Sequence, residues 1–487
     1  MEGNLELSKI SKVVGGYLKK SGYNVSYIDY SNKIQEFFSW YRGNTPWHEY
    51  KVWTGKGSIG LRRASLDMAK IACEDMASLL LNERVNINMA DNNSQKFINE
   101  ALDDNNFWVM GNQLIEIMCA LGSGAFVENV FSDVKGENYN SIDYIHGDMI
   151  FPLSWDNGQI TECAFGKISR EDDKIYYTLI IHEIGDDGNY IIKIVTIDSE
   201  GKVALPSNLA KGADYIETIE TGISIPLFQI IKPNIVNNYD KTCPLGMSIY
   251  GNSIENLKSI DMKYDSWRNE FDTGKRKIFI KSDMMNVQYK IDNAEVTPVV
   301  DPSDTIFYQI EWQKDDVPIH EFSPTLRDAE HANSLDVELK LFSRKVGLGD
   351  SFYAFNNGAV ARTATEVIST NSALFRNLRK HELILEKALI GMCRALLSLE
   401  NAFNGGSYDV WQEITVDFDD SIIEDKEKEM QQAMAEFQAG VTDRADYFVK
   451  TRNMTREQAI KFINEMEASN TMKQVMDFTS NSGFGGF

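Results

Sequence analysis

Between Thr363 and Phe403 the chain reads TATEVISTNSALFRNLRKHELILEKALIGMCRALLSLENAF, with apolar residues recurring at helical spacing throughout. At 3.6 residues per turn this is one helix of about ten turns. Few compact domains need one that long, so the elements on either side decide what kind of protein can use it. Just before it, Gly347 to Glu366 spells GLGDSFYAFNNGAVARTATE, a glycine-rich turn with a single arginine. Just after it, Asn-Gly-Gly-Ser at residues 404–407 breaks the helix, EITVDFDDS reads as a strand with an acidic end, and two or three helices close the chain. The last of these opens on Thr455-Arg456-Glu457-Gln458, a capping-box pattern, and the Asn-, Ser- and Gly-rich tail from Ser469 onward has too little to bury to be ordered.

Upstream, the pattern from about Leu7 to Asn105 is mostly helical. KIQEFFSWYRG is a short amphipathic piece, and SLDMAKIACEDMASLLLNERVNI sets Met68, Ile71, Ala72, Met76, Leu79 and Leu80 along one face. WHEYKVWTGKGSI, between Trp47 and Ile59, suits a small hairpin. From Phe126 to Ile231 the character changes to strands separated by Asp-Asn-Gly, Asp-Asp and Gly-Asp-Asp-Gly turns, which predicts an antiparallel meandering sheet. No alternation of strands with helices occurs there, which argues against a doubly wound nucleotide-binding fold. A helix follows from about Ser248 to Asp272, with Ile249, Leu257, Ile260, Tyr264, Trp267 and Phe271 as its apolar stripe, and Gly274 stops it. Strand candidates KIFIK, AEVTPVV and TIFYQIEW make a small unit from Lys275 to Phe322, and a second helix runs from about Thr325 to Val346.

The chain offers little for chemistry. A phosphate loop needs a Lys-Ser/Thr after its last glycine, and a dinucleotide fingerprint needs a strand before its turn; here the lysine is missing and a helix precedes. His48, His146, His182, His320, His331 and His381 form no His-x-x-x-His pair and read as surface or boundary residues. Cys73, Cys119, Cys163, Cys243 and Cys393 are scattered and odd in number, so neither a disulfide framework nor a zinc site is expected, only mostly buried, reduced thiols. Asp417, Asp419 and Asp420 are the densest carboxylate group; an acidic turn capping the next helix accounts for them better than a divalent ion. No catalytic residue, metal or cofactor is assigned. The 487 residues suit roughly two to four domains, and 72 acidic against 49 basic residues give a formal charge of −23. Such a balance argues against a broad basic grip on nucleic acid. MEGNLELSKI is too polar for a signal peptide and no apolar run is long enough to span a bilayer, so the chain is expected to be made, and to stay, on the soluble side.

The order of these elements, with MAKIACEDMASLLLNERVNI, FPLSWDNGQITECAF, PLGMSIYGNSIENLKSIDMKYDSWRNEFDTGKRKIFI, the GLGDSFYAF to RTATEVISTNSAL segment and VDFDDSIIEDKEKE, resembles the portal proteins of tailed bacteriophages, in the branch found in phages of Gram-positive bacteria. The likeness covers nearly the whole chain. It implies an α+β portal fold without catalytic residues, assembled as a ring homo-oligomer, usually a dodecamer, at one capsid vertex. Residues 1–245 would be a wing, 246–274 and 324–346 the paired stem helices, 275–323 the clip, 347–363 the tunnel loop, 364–410 the long wing helix, 411–468 the crown and 469–487 a disordered tail. The resemblance would place Asn356, Asn357, Gly358 and Arg362 toward DNA, Lys340, Arg344 and Lys345 along the channel, and Ile260, Tyr264, Trp267 and Phe271 in stem packing. Its partners would be double-stranded DNA in transit, the terminase large subunit, major capsid and scaffolding proteins, and a head-tail connector or adaptor, with no membrane. The protein would be made in the bacterial host cytoplasm, reside in the virion, and serve genome packaging and ejection. Two rivals are a metal-dependent hydrolase or nuclease using Asp417, Asp419 and Asp420, and a structural virion component without a channel.

Overall fold

The structure is a computed structural model describing residues 2–25, 30–54, 57–81, 85–132, 138–171, 174–204, 216–281, 288–289, 296–297, 307–310, 319–350, 352–355, 364–418, 433–452, 456 and 459–463. Two compact units divide the chain: residues 1–360 with 376–418, and residues 361–375 with 419–487.

The larger unit opens with helices α1 (Glu2–Lys20) and α2 (Ser31–Tyr41), then a hairpin of β1 (Glu49–Thr54) and β2 (Gly57–Arg62), as the spacing predicts. Helix α3 (Met68–Leu80) buries Met68, Ala72, Met76 and Leu80, but Ile71, expected on that face, is exposed; Ala69, Cys73 and Ala77 are buried instead. The predicted helical character also ran too far. Asn86–Met89 is a strand, β3, before α4 (Asn92–Asp104) and α5 (Phe107–Leu121). Asp91 caps α4, its carboxylate accepting the Ser94 N–H at 2.8 Å.

The strand-rich region is antiparallel throughout but splits into two sheets. β4 (Gly124–Ser132) pairs with β5 (Asn138–His146), and a five-stranded meander follows: β6 (Ile150–Asp156), β7 (Gln159–Glu171), β8 (Lys174–Ile184), β9 (Tyr190–Asp198) and β10 (Ile216–Glu220). The chain then returns as β11 (Phe228–Ile231) to the free side of β4. The break falls at a short 3-10 turn over Gly147–Met149, where a Cβ on Gly147 would lie 2.5 Å from the Ser123 carbonyl. Asn157 and Gly158, with φ of 48° and 74°, make the tight turn between β6 and β7 that Asp-Asn-Gly announces. Phe151, Phe165, Leu179 and Ile181 of the meander share one core with Ile10, Val14 and Leu18 of α1. Ile180 and Ile192 join a second core with Ala395 and Leu399.

Helix α6 (Ile254–Thr273) starts later than the predicted Ser248, because Gly251–Ser253 forms a 3-10 turn in which a Cβ on Gly251 would meet Met247 at 2.9 Å. The small unit after it contains β12 (Lys277–Lys281), β13 (Gln288–Tyr289), β14 (Val296–Thr297), β15 (Phe307–Ile310) and β16 (Ile319–Phe322). β12 lies between β15, which runs parallel to it, and β16, which runs antiparallel. β13 and β16 were not expected from the sequence. Helix α7 (Asp328–Val346) begins three residues late because Arg327, at φ −89° and ψ 46°, donates its backbone N–H to Glu270 instead of entering the helix. Helix α8 (Ala364–Phe403) has the predicted extent, and Gly405, at φ 75°, follows its end. β17 (Ile414–Asp417) closes this unit by pairing antiparallel with β3.

Of the smaller unit's described residues, α9 (Arg444–Arg452) is preceded by Asp443, which accepts the Asp446 N–H at 2.6 Å and pairs with Arg456 at 2.7 Å. The capping-box residues Thr455, Glu457 and Gln458, and the tail from Ser469, lie outside the described residues. All five cysteines are buried and unbridged, and burial pushes their thiols up, Cys243 to about 11 and Cys393 to about 12. His48, His182 and His381 are buried, against the surface placement expected for them. Among the described residues no helix is long and apolar enough to cross a membrane.

Candidate functional site

Helices α6 and α7 form an antiparallel pair whose two halves differ. Toward the body, Ile254, Leu257 and Ile260 of α6 and Leu335, Leu339, Phe342 and Val346 of α7 are buried, as their three- and four-residue spacing requires. Toward the small strand unit the contacts become polar. Lys263 donates to Glu338 at 3.0 Å, Trp267 Nε1 donates to Asp328 at 2.8 Å, and Arg327 donates twice to Glu270, at 3.1 and 2.7 Å. Those hydrogen bonds hold the Glu270 carboxyl down to about 2. Burial would raise Glu338, but hydrogen bonds from Lys263, Ser259 and Asn256 keep it below the ordinary range.

Of the four residues assigned to stem packing, Ile260 is fully buried, Tyr264 and Trp267 are half-buried, and Phe271 is 47% exposed. The continuous apolar stripe thus loses its cover along the helix. In its distal half α7 is the helix packed against it among the described residues, and a single helix shields one face.

The pair is fixed to the body by a buried hub that the sequence did not show. Asp261, on α6, lies 2.8 Å from His48 Nε2, and accepts from Ser65 Oγ at 3.0 Å and from the Leu66 N–H at 2.9 Å. His48 Nδ1 in turn sits 2.9 Å from Thr45 Oγ1. Partners so far apart along the chain leave no local signal, and a lone His or Asp reads as surface.

The basic residues assigned to the channel have partners within the chain. Lys340 pairs with Asp336 at 2.5 Å, Lys345 donates to Asn256, and Arg344 lies 3.8 Å from Asp350 with both groups exposed. The start of the glycine-rich turn is anchored as well. Gly347, at φ 89°, sends its N–H to the Arg344 carbonyl, and Leu348 sends its own to Ser343, closing α7 in a Schellman motif with Leu348 buried beneath it. The Phe355 N–H donates to Asp336 at 2.8 Å, and Tyr353 Oη donates to Asp75 on α3 at 2.6 Å while its ring stacks on Phe342. Burial, then that bond to Asp75, pushes the Tyr353 phenol well above its usual range. Asn356, Asn357, Gly358 and Arg362 lie outside the described residues.

For chemistry the arrangement offers structural polar pairs. No group of three or more His, Cys, Asp or Glu side chains able to hold a metal occurs among the described residues; Asp417 accepts from Asn88 at 2.8 Å, and Asp419 and Asp420 fall outside them.

Comparison with known proteins supplies what geometry alone does not. No curated protein matches the chain. A profile of the family described as phage portal protein, SPP1 Gp6-like, matches residues 27–473, almost the full length and every element of the helix pair. The chain therefore belongs to the SPP1 Gp6-like phage portal protein family.

Proposed function

We propose that this chain assembles as a ring, a dodecamer, at one vertex of a phage capsid, and that double-stranded DNA passes through the ring when the genome is packaged and again when it is ejected. The family is a structural one of the virion, not a family of enzymes. In this reading residues 246–274 and 324–346 form the stem, 275–323 the clip that meets the terminase large subunit and later the connector or adaptor, and 347–363 the tunnel loop. Residues 1–245 with 364–410 form the wing and 411–468 the crown, against which capsid and scaffolding proteins assemble.

The observation that carries the reading is the outer surface of the helix pair. Met262 and Phe271 of α6 and Val337 and Leu341 of α7 are 45–55% exposed in a single chain, spread along both halves of the pair. Copies packed side by side around an axis would cover those side chains. The charge of −23 suits a conduit, since an acidic wall repels a duplex weakly and lets it slide. Negative-stain imaging of the purified full chain tests this. Rings with a central hole wide enough for duplex DNA are expected; monomers, dimers or solid discs refute it.

A further inference from the structure

The hairpin β1–β2 pairs with no third strand among the described residues. Its register sets Tyr50 opposite Leu61 and Val52 opposite Ile59, so these four side chains share one face, with Lys51 and Trp53 on the other. Val52 is 40% exposed, Leu61 44%, Ile59 53% and Trp53 83%. A two-stranded hairpin is marginal in water by itself, and an exposed apolar face of this kind marks a contact surface. Its base, by contrast, is held firmly. Arg62 donates to the Gly43 carbonyl at 2.8 Å, and Arg63 donates to the Trp47 carbonyl at 2.7 Å while lying over the rings of Trp47 and Tyr50. Directly after the hairpin, the Ala64 and Leu66 N–H groups donate to Asp265 and Asp261 of α6, each at 2.9 Å.

We propose that this hairpin is an arm that clasps a second copy of this chain, its Val52–Ile59–Leu61 face covered by apolar side chains of the neighbour and its Lys51–Trp53 face turned to the neighbour's acidic surface. The inference rests on the ring reading above. Two observations select a second copy. Beyond the two arginines committed to its base, the segment from Glu49 to Arg63 carries Lys51 and Lys56 against the single acidic Glu49, within a protein of net charge −23, so another copy is the complementary partner. The arm is also tied to α6, the helix whose outer side is the proposed ring contact, so its surface continues that contact. Nucleic acid fits less well, because both arginines are committed to the hairpin's base and the exposed face presents branched aliphatic side chains.

The test uses full chains carrying Trp53→benzoylphenylalanine or, as a reference on α7, Val337→benzoylphenylalanine. Isotopically light and heavy copies are mixed, assembled and irradiated with and without duplex DNA, and the cross-linked peptides are identified by mass spectrometry. Light-to-heavy cross-links are expected from both positions, those from position 53 mapping to an acidic segment of the other copy. If position 337 links copies while position 53 links only to its own chain, to DNA or to nothing, the clasp is overturned and the ring stands. If neither position links copies and light scattering reports a monomer, the ring reading fails and the clasp with it. Val52→Thr combined with Ile59→Thr removes the apolar surface of one exposed cross-strand pair while keeping two β-branched residues opposite each other, so the hairpin is retained. The protomer concentration at half-assembly is expected to rise about tenfold, and an unchanged value overturns the proposal.

Discussion

Glu128, in the middle of β4, is fully buried, and neither of its carboxylate oxygens has a hydrogen-bond partner among the described residues. Burial raises its pKa well above the ordinary 4.5, opposed by its own backbone N–H, and it helps to raise the equally buried Cys393 thiol. The folded chain therefore keeps Glu128 neutral at a pH where the unfolded chain ionises it, so folding takes up a proton. Stability is then unaffected by this group below pH 4.5 and falls as pH rises toward the folded pKa, by about 1.4 kcal/mol per pH unit. At pH 7 the ceiling on the loss is about 3.4 kcal/mol. Glu128→Gln keeps the shape and removes the titration. Its own unpartnered amide adds a pH-independent offset of about 1 kcal/mol. The variant should gain on the parent as pH rises from 4.5, by at most about 2.4 kcal/mol at pH 7. Urea unfolding followed by tryptophan fluorescence, run in parallel from about pH 5 to about 8 at one assembly state, measures the difference. Parallel pH profiles, or a parent that gains on the variant as pH rises, would show that the carboxylate is ionised and partnered, and the reasoning would fail.

Asp261→Asn replaces an acceptor-only group that serves His48, Ser65 and Leu66 with one that must also donate, so a loss of about 2–4 kcal/mol in thermal unfolding is expected, and an unchanged melting point would mean the hub holds nothing. Glu270, held down to about 2 by Arg327, contributes stability that is present above its ordinary 4.5 and lost as pH falls through about 2; Arg327→Met should flatten that acid limb, read from unfolding midpoints between about pH 5 and about pH 2. Gly347→Ala forces a left-handed backbone on a side-chain residue, costing about 1–2 kcal/mol, and sets a Cβ 2.1 Å from Asn377 Nδ2. Adding Asn377→Ala should restore only the steric share, whereas complete recovery in the melting temperature would assign the whole loss to the clash.

How much of this was legible in the sequence depended on whether an element carries its own reason. Helix α8 was read to within a residue because forty residues of unbroken periodicity need no partner to be recognised. The β6–β7 turn was readable because Asn157 and Gly158 are the residues that tolerate positive φ. β3 was hidden, since Asn-Ile-Asn-Met is a strand only because Ile414 to Asp417, at the far end of the chain, pairs with it. The exposure of Ile71 and Phe271 had the same cause, for a stripe shows which face is apolar and not how far a partner covers it. Of the candidate site, the two helices were legible, but the Asp261 hub, the Glu270–Arg327 bond and the partners of Lys340 and Lys345 are meetings of distant residues.

The two halves of the helix pair argue for what the protomer is built to do. An isolated helical hairpin would be expected to hide its large apolar side chains along the seam for its whole length and to leave charge outside. Here the seam is apolar only near the body, from Ile254 to Ile260 and from Leu335 to Val346, and even there Val337 and Leu341 stay exposed on the outer side. In the distal half the seam is closed by Lys263–Glu338, Trp267–Asp328 and Glu270–Arg327, while Met262, Phe271 and Leu326 remain exposed. Such partly exposed polar bonds contribute little each, but they fix the register of one helix against the other. Register is what a repeated assembly needs, because each copy must present its apolar side chains at the same height as the next. A helix pair with its oily residues turned inward would be more stable alone and would offer a second copy nothing to bind.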